Sequence, residues 1–180
     1  MARIFWVWYH TQDIGTSAGT TTFFNTDQAT AGKAKCNMKM AGQLPAAEKF
    51  KIESIQVSFE PQASPADVEA ILSESVLELV IGEETKLIAP LIHFVPNGHL
   101  AGYAALYGQG SATEVSAATP AGYPLRLDPP IELPGGVGFK VDIITTNAPS
   151  SATACTVSLV GEREYSVSYT HLTLPTTERV

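Results

Sequence analysis

Residues 44–60 read LPAAEKFKIESIQVSFE, and residues 133–144 read LPGGVGFKVDII. The two stretches match at one constant offset with no gap, giving the pattern L-P-x4-F-K-[IV]-[DE]-x-I. Proline has no N–H for a sheet ladder, so each Leu-Pro marks the entry turn before a strand. Behind it, Phe50 and Ile52, then Ile55, Val57 and Phe59, alternate with Lys51, Glu53, Gln56 and Ser58. Phe139, Val141 and Ile143 alternate in the same way with Lys140 and Asp142. A period of two means one face in a core and one face in water. The phase slips by one between Ile52 and Ile55, the mark of a β-bulge. Two such units half a domain apart are what a two-Greek-key jelly roll leaves in its sequence. On that reading the strands beginning at Phe50 and Phe139 are antiparallel neighbours in one sheet.

The rest of the chain extends the pattern. Leu77, Leu79 and Ile81 alternate with Glu78 and Val80, then Gly82-Glu83-Glu84 turns the chain and 86–91 returns, so Val76 to Leu91 reads as a hairpin. Cys155, Val157 and Leu159 form another apolar face. Weaker strands are expected over Thr20–Phe24 and Tyr123–Leu127, while Leu100 to Ala121 is the longest weakly patterned stretch. One helix stands out: Ser64 as N-cap, Pro65 at the first helical position, Asp67 in the first turn, and Val68, Ile71 and Leu72 at helical spacing, ending near Ser75. The fold class is therefore all-β: an antiparallel two-sheet β-sandwich, an eight-stranded jelly roll with one short connecting helix. Phe50, Phe59, Leu77, Leu79, Phe139, Val141, Val157 and Leu159 should face inward.

Composition narrows the classes. The 180 residues suit one domain, 44% are apolar and only 16% charged, against roughly 25% charged in an ordinary globular chain. This excludes disorder and coiled coils. Eleven Lys+Arg against eighteen Asp+Glu give a net charge of −7, the opposite of a nucleic-acid binder's basic footprint. No run approaches the ~20 apolar residues of a membrane span. Ile4 to Tyr9 is apolar but too short for a secretory signal. Two cysteines, Cys36 and Cys155, make no disulfide framework and read as buried thiols, a single bridge being the alternative.

Three regions follow. Residues 1–19 are an N-terminal arm or edge strand, since Phe5, Trp6, Val7, Trp8 and Tyr9 suit either a sheet edge or an anchor on a neighbouring subunit. Residues 20–165 are the sandwich. Residues 166–180 are an artefactual tail, because Val167 to Thr176 reads VSYTHLTLPT, the translation of a common sequencing-library transposase adapter. The natural chain is expected to continue differently after about Tyr165, and the tail is expected to stay outside the core.

No motif assembles into chemistry. Gly15-Thr16-Ser17-Ala18-Gly19 matches the G-x-S-x-G elbow, but a β-prone segment follows where that elbow requires a helix. His93 and His99 lack the close His-x-His spacing of a sandwich metal site. Glu83 and Glu84 sit on a turn, and Asp128 and Glu132 would need a cleft to act as an acid–base pair. No catalytic, cofactor-binding or metal residues are expected, and the chain is read as no enzyme.

The stretches AGQLPAAEKFKIESIQVSFE (41–60), LELVIGEETKLIAPL (77–91) and YPLRLDPPIELPGGVGFKVDII (123–144) together resemble single jelly-roll capsid proteins of tailless icosahedral bacteriophages and related environmental viruses. The shared features are the P-I-x-L-P-x-G-x-x-F-x-V entry to one strand and G-Q-L-P before another. The resemblance spans about Thr20 to Gly161. It implies a virion structural protein, made in the host cytoplasm, that tiles into an icosahedral shell with copies of itself or a sister subunit. The chain lacks the basic N-terminal arm that many small RNA-virus coats use on their genome, so genome contact would fall to another component. The alternative is a small carbohydrate- or ligand-binding β-sandwich module, with Tyr103, Tyr107 and Tyr123 as a stacking platform.

Overall fold

A computed structural model of the chain describes residues 2–60, 63–95 and 125–165. Among the described residues there are eight strands: β1 (Ala2–Ile14), β2 (Gly19–Phe23), β3 (Glu48–Phe59), β4 (Ser75–Ile81), β5 (Glu84–Pro90), β6 (Arg126–Pro134), β7 (Phe139–Thr145) and β8 (Thr153–Tyr165). They form two four-stranded sheets, ordered β1-β8-β3-β6 and β2-β7-β4-β5. Every pairing is antiparallel. The first strand pairs with the last, the second with the seventh, the third with the sixth, and the fourth with the fifth. This is one long hairpin folded around itself, closed laterally by β3 on β8 and β4 on β7. That wrapping is an eight-stranded jelly roll.

All eight side chains expected to face inward are buried between the sheets. The hairpin is formed by β4 and β5, with Ile81 opposite Glu84 and Gly82 at φ +64° as the first turn residue, a backbone only glycine adopts freely. The phase slip is a register shift between Ile52 and Ser54, seen against both β6 and β8. Gly161 lies opposite it, and a Cβ there would come 1.8 Å from the Lys51 carbonyl oxygen.

The repeated Leu-Pro units require a correction. The strands that begin near Phe50 and Phe139 lie in different sheets. Leu44-Pro45 leads into β3, whereas Leu133-Pro134 forms the paired end of β6 and the turn after it leads to β7 in the other sheet, and the two connections meet. The N–H of Phe139 donates to the Gly42 carbonyl at 2.7 Å, and that of Gly136 to the Leu44 carbonyl at 2.9 Å. Alternation reports that a face is buried, and both sheets bury a face, so the repeat could not say which sheet a strand joins.

The expected helix is α2 (Pro65–Ser73), with Pro65 in its first turn; it stops short of Ser75, which opens β4. Ser64 makes no side-chain capping bond. Instead the buried Asp67 carboxylate accepts from the N–H and hydroxyl of Ser150, at 2.6 and 2.8 Å, pinning the β7–β8 loop. A second helix, α1 (Gln28–Ala31), was not expected. Its N-cap Asp27 accepts from the Thr30 N–H at 2.8 Å, and hydrogen bonding with Thr30 holds that carboxyl below its ordinary pKa. The stretch from Leu100 to Ala121 and the tail 166–180 lie outside the described residues.

The segment after α1 covers half of an exposed edge. It runs back along β1, where the Thr11 N–H donates to the Lys35 carbonyl at 2.7 Å. The Asn37 amide imitates a strand peptide, with Nδ2 donating to the Val7 carbonyl at 2.7 Å and Oδ1 accepting from the Tyr9 N–H at 2.8 Å. Covering an edge removes a template for unwanted pairing.

Beneath this cover, the buried His10 accepts the Phe24 N–H on Nδ1 at 2.8 Å. Burial holds its pKa below the ordinary value of 6.5. The unfolded chain therefore takes up a proton that the folded one resists. Stability is complete above about pH 6.5 and falls as the pH drops below it, by up to about 1.4 kcal/mol per pH unit for this one proton. Urea melts between pH 7 and 5 should show this slope in the parent and a shallower one in His10→Gln, which retains an acceptor.

Candidate functional site

The structure scatters the residues singled out for chemistry. Gly15 to Ala18 form an exposed link from β1 to β2, which opens at Gly19, so a strand follows Ser17 where the elbow requires a helix. His93 is exposed on a short 3-10 turn (Leu91–Phe94), and His99 lies outside the described residues. Glu83 and Glu84 are exposed at the β4–β5 turn, with Lys86 paired to Glu84 at 2.5 Å. Asp128 and Glu132 are both exposed on the edge strand β6. Tyr103, Tyr107 and Tyr123 lie outside the described residues. Cys36 and Cys155 are buried free thiols, each pushed up in pKa by burial, and so poor nucleophiles. No group of three or more His, Cys, Asp or Glu among the described residues could hold a metal ion.

One buried polar cluster went unforeseen. Arg163 of β8 holds Glu48 of β3 through both carboxylate oxygens, Nε to Oε2 at 2.9 Å and Nη2 to Oε1 at 2.5 Å. Their side chains are only 12% and 10% exposed. The guanidinium carbon lies 5.1 Å from the Trp6 ring centroid, 5.3 Å from Trp8 and 5.7 Å from Tyr165. An aromatic cage of this kind can bind a cation, but here the chain's own arginine fills it. The cluster ties β1, β3 and β8 together at one end of the first sheet. Its signal was legible: continuing the apolar phase of Val157 and Leu159 leads to Arg163, and running Phe50 and Ile52 backwards leads to Glu48. A charge on a core phase calls for an opposite charge on the neighbouring strand.

A cleft of about 450 Å³ opens nearby, with Arg3, Lys51, Lys86, Glu84, Glu132 and Glu164 among its walls. Its charges largely neutralise one another. Arg3 reaches Glu164 at 2.9 Å, Lys51 reaches the same carboxylate at 3.6 Å, and Lys86 reaches Glu84. On the second sheet, the buried Asp142 accepts from the Thr22 hydroxyl at 2.6 Å and pairs with Lys140 at 2.6 Å. Both places carry internal ion pairs.

Protein-family models, curated proteins and solved structures give no match to this chain. The surface feature that stands out is at the β1 edge, where the Asn37 cover ends. Phe5 is 68% exposed and Ile4 36% exposed, although both lie within a long regular strand. No helix among the described residues is long and apolar enough to cross a membrane.

Proposed function

We propose that the chain is a capsid subunit, a viral structural protein that assembles with copies of itself or a sister subunit into an icosahedral shell of the virion. The observation that carries this reading is the strand order, β1-β8-β3-β6 facing β2-β7-β4-β5. Jelly rolls of this type serve as viral shell subunits, but also as lectins and cupins, so the fold alone does not decide. Three further features favour the shell. The buried Asp67 and Glu48 carboxylates serve internal ties, the cleft beside β3 and β6 carries ion pairs among its lining charges, and large apolar side chains stand exposed on a sheet edge. A net charge of −7 leaves genome contact to another component.

The test is assembly of the purified chain, followed by size-exclusion chromatography and negative-stain electron microscopy, alone and with candidate sister subunits. Closed particles or ordered oligomers are the expected result. A chain that remains small under all these conditions and binds a glycan saturably would overturn the proposal in favour of a carbohydrate-binding module.

A further inference from the structure

We infer that the uncovered half of β1 pairs with the same strand of a second copy, antiparallel about a two-fold axis at Ile4. This deepens the shell reading by naming a contact, and it needs only a second copy of the chain. The odd-numbered residues of β1 turn their backbone groups away from β8: Tyr9 and Thr11 bond outward to Asn37 and Lys35, and the Val7 carbonyl accepts from Asn37. By the same alternation, Arg3 and Phe5 present their N–H and C=O groups on the outer edge. Among the described residues nothing pairs with them there, because the cover ends at Val7.

The side chains select both partner and register. Pairing about Ile4 sets Arg3 opposite the second copy's Phe5, twice by symmetry, with four backbone hydrogen bonds. Arg3 already holds Glu164 on its β8 side. On its open side it would meet a large exposed aromatic ring, with the second copy's Glu162 one strand further on. An arginine over a ring is attractive, and no like charges face each other. Pairing about Arg3 would oppose two arginines, which is destabilising. Pairing about Phe5 would set Arg3 against Val7, whose carbonyl is already taken by Asn37. The register about Ile4 therefore fits best, and it joins the two first sheets into one continuous eight-stranded sheet.

Sedimentation velocity on the full chain over a concentration series should show a monomer–dimer equilibrium. Arg3→Pro removes an outward N–H from each copy and leaves the β8 ladder hydrogen bonds intact, and it also removes the Arg3 side chain with its pair to Glu164. It should weaken the dimer roughly tenfold or more, through two lost hydrogen bonds and two lost arginine–ring contacts, while the melting temperature falls only by the small amount that an exposed ion pair contributes. Should that variant misfold, cysteine cross-linking decides. Ile4→Cys sets two cysteines as a non-hydrogen-bonded pair, with Cα atoms about 4.5 Å apart, within disulfide range. It should oxidise to a covalent dimer. Phe5→Cys leaves its two cysteines out of register, beyond the ~7 Å limit, and should not. A parent chain that is monomeric at every concentration, or Phe5→Cys cross-linking as readily as Ile4→Cys, overturns the inference. Dimers that cross-link through residue 4 without ever closing into particles would uphold this contact while removing the shell proposal.

Discussion

Gly161→Ala should destabilise the fold by about 1–3 kcal/mol or more, the cost of forcing atoms into a packed site. The sign makes the test informative. In a regular strand, replacing glycine by alanine is favourable, because glycine loses more conformational freedom on folding. Here the added Cβ would come 1.8 Å from the Lys51 carbonyl oxygen and 3.0 Å from the Glu53 nitrogen. Both obstacles are backbone at the β3 bulge, so no side-chain rotation relieves them. In a domain of this size each kcal/mol lowers the melting temperature by roughly 2–4 °C. Thermal melts of the two proteins check it. An unchanged or raised melting temperature would mean that the bulge does not press on β8 as described.

Glu48→Ala should cost still more, about 3–5 kcal/mol, because it leaves the Arg163 guanidinium buried without its carboxylate. The aromatic faces of Trp6, Trp8 and Tyr165 offset only part of that loss. The pair need not be net stabilising for this to hold, since replacing both partners by apolar side chains of similar size is often neutral or better. Glu48→Leu combined with Arg163→Met should therefore recover most of the stability lost by Glu48→Ala. Denaturant melts of the singles and the double form the cycle. Equal, independent losses that simply add would show that the two side chains do not depend on each other.

These two sites differ in how far the sequence announced them. The phase slip between Ile52 and Ile55 announced the bulge, because an inserted residue changes a period that can be counted along the chain. Nothing in the spacing announced Gly161 as its partner, because the approach of β8 to β3 joins residues more than a hundred positions apart. Glu48 and Arg163 stood on apolar phases of their own strands, so each was readable as an anomaly. Their mutual pairing required knowing that β3 and β8 are neighbours. Motif spacing gave no converging chemistry at Ser17, His93, Asp128 and Glu132; Ser17 lies in the β1–β2 link, His93 on the 3-10 turn, and Asp128 and Glu132 together on β6.

Local alternation by itself determined that the chain folds as a β-sandwich, where the β4–β5 hairpin and the helix α2 lie, and which side chains enter the core. Each follows from a period of two or 3.6 residues, or from a turn, all properties of a few consecutive residues. Only the tertiary structure decided the sheet each strand joins, and it separated the strands of the repeated Leu-Pro units that the sequence had placed side by side. It also decided that Asn37 shields the edge from Val7 onward, while among the described residues nothing pairs with the outer edge at Arg3 and Phe5. Backbone hydrogen bonds are the same for every residue type but proline, so the identity of a strand's neighbour is written in no local pattern. It is set by how the whole hairpin wraps to bury both inner faces at once.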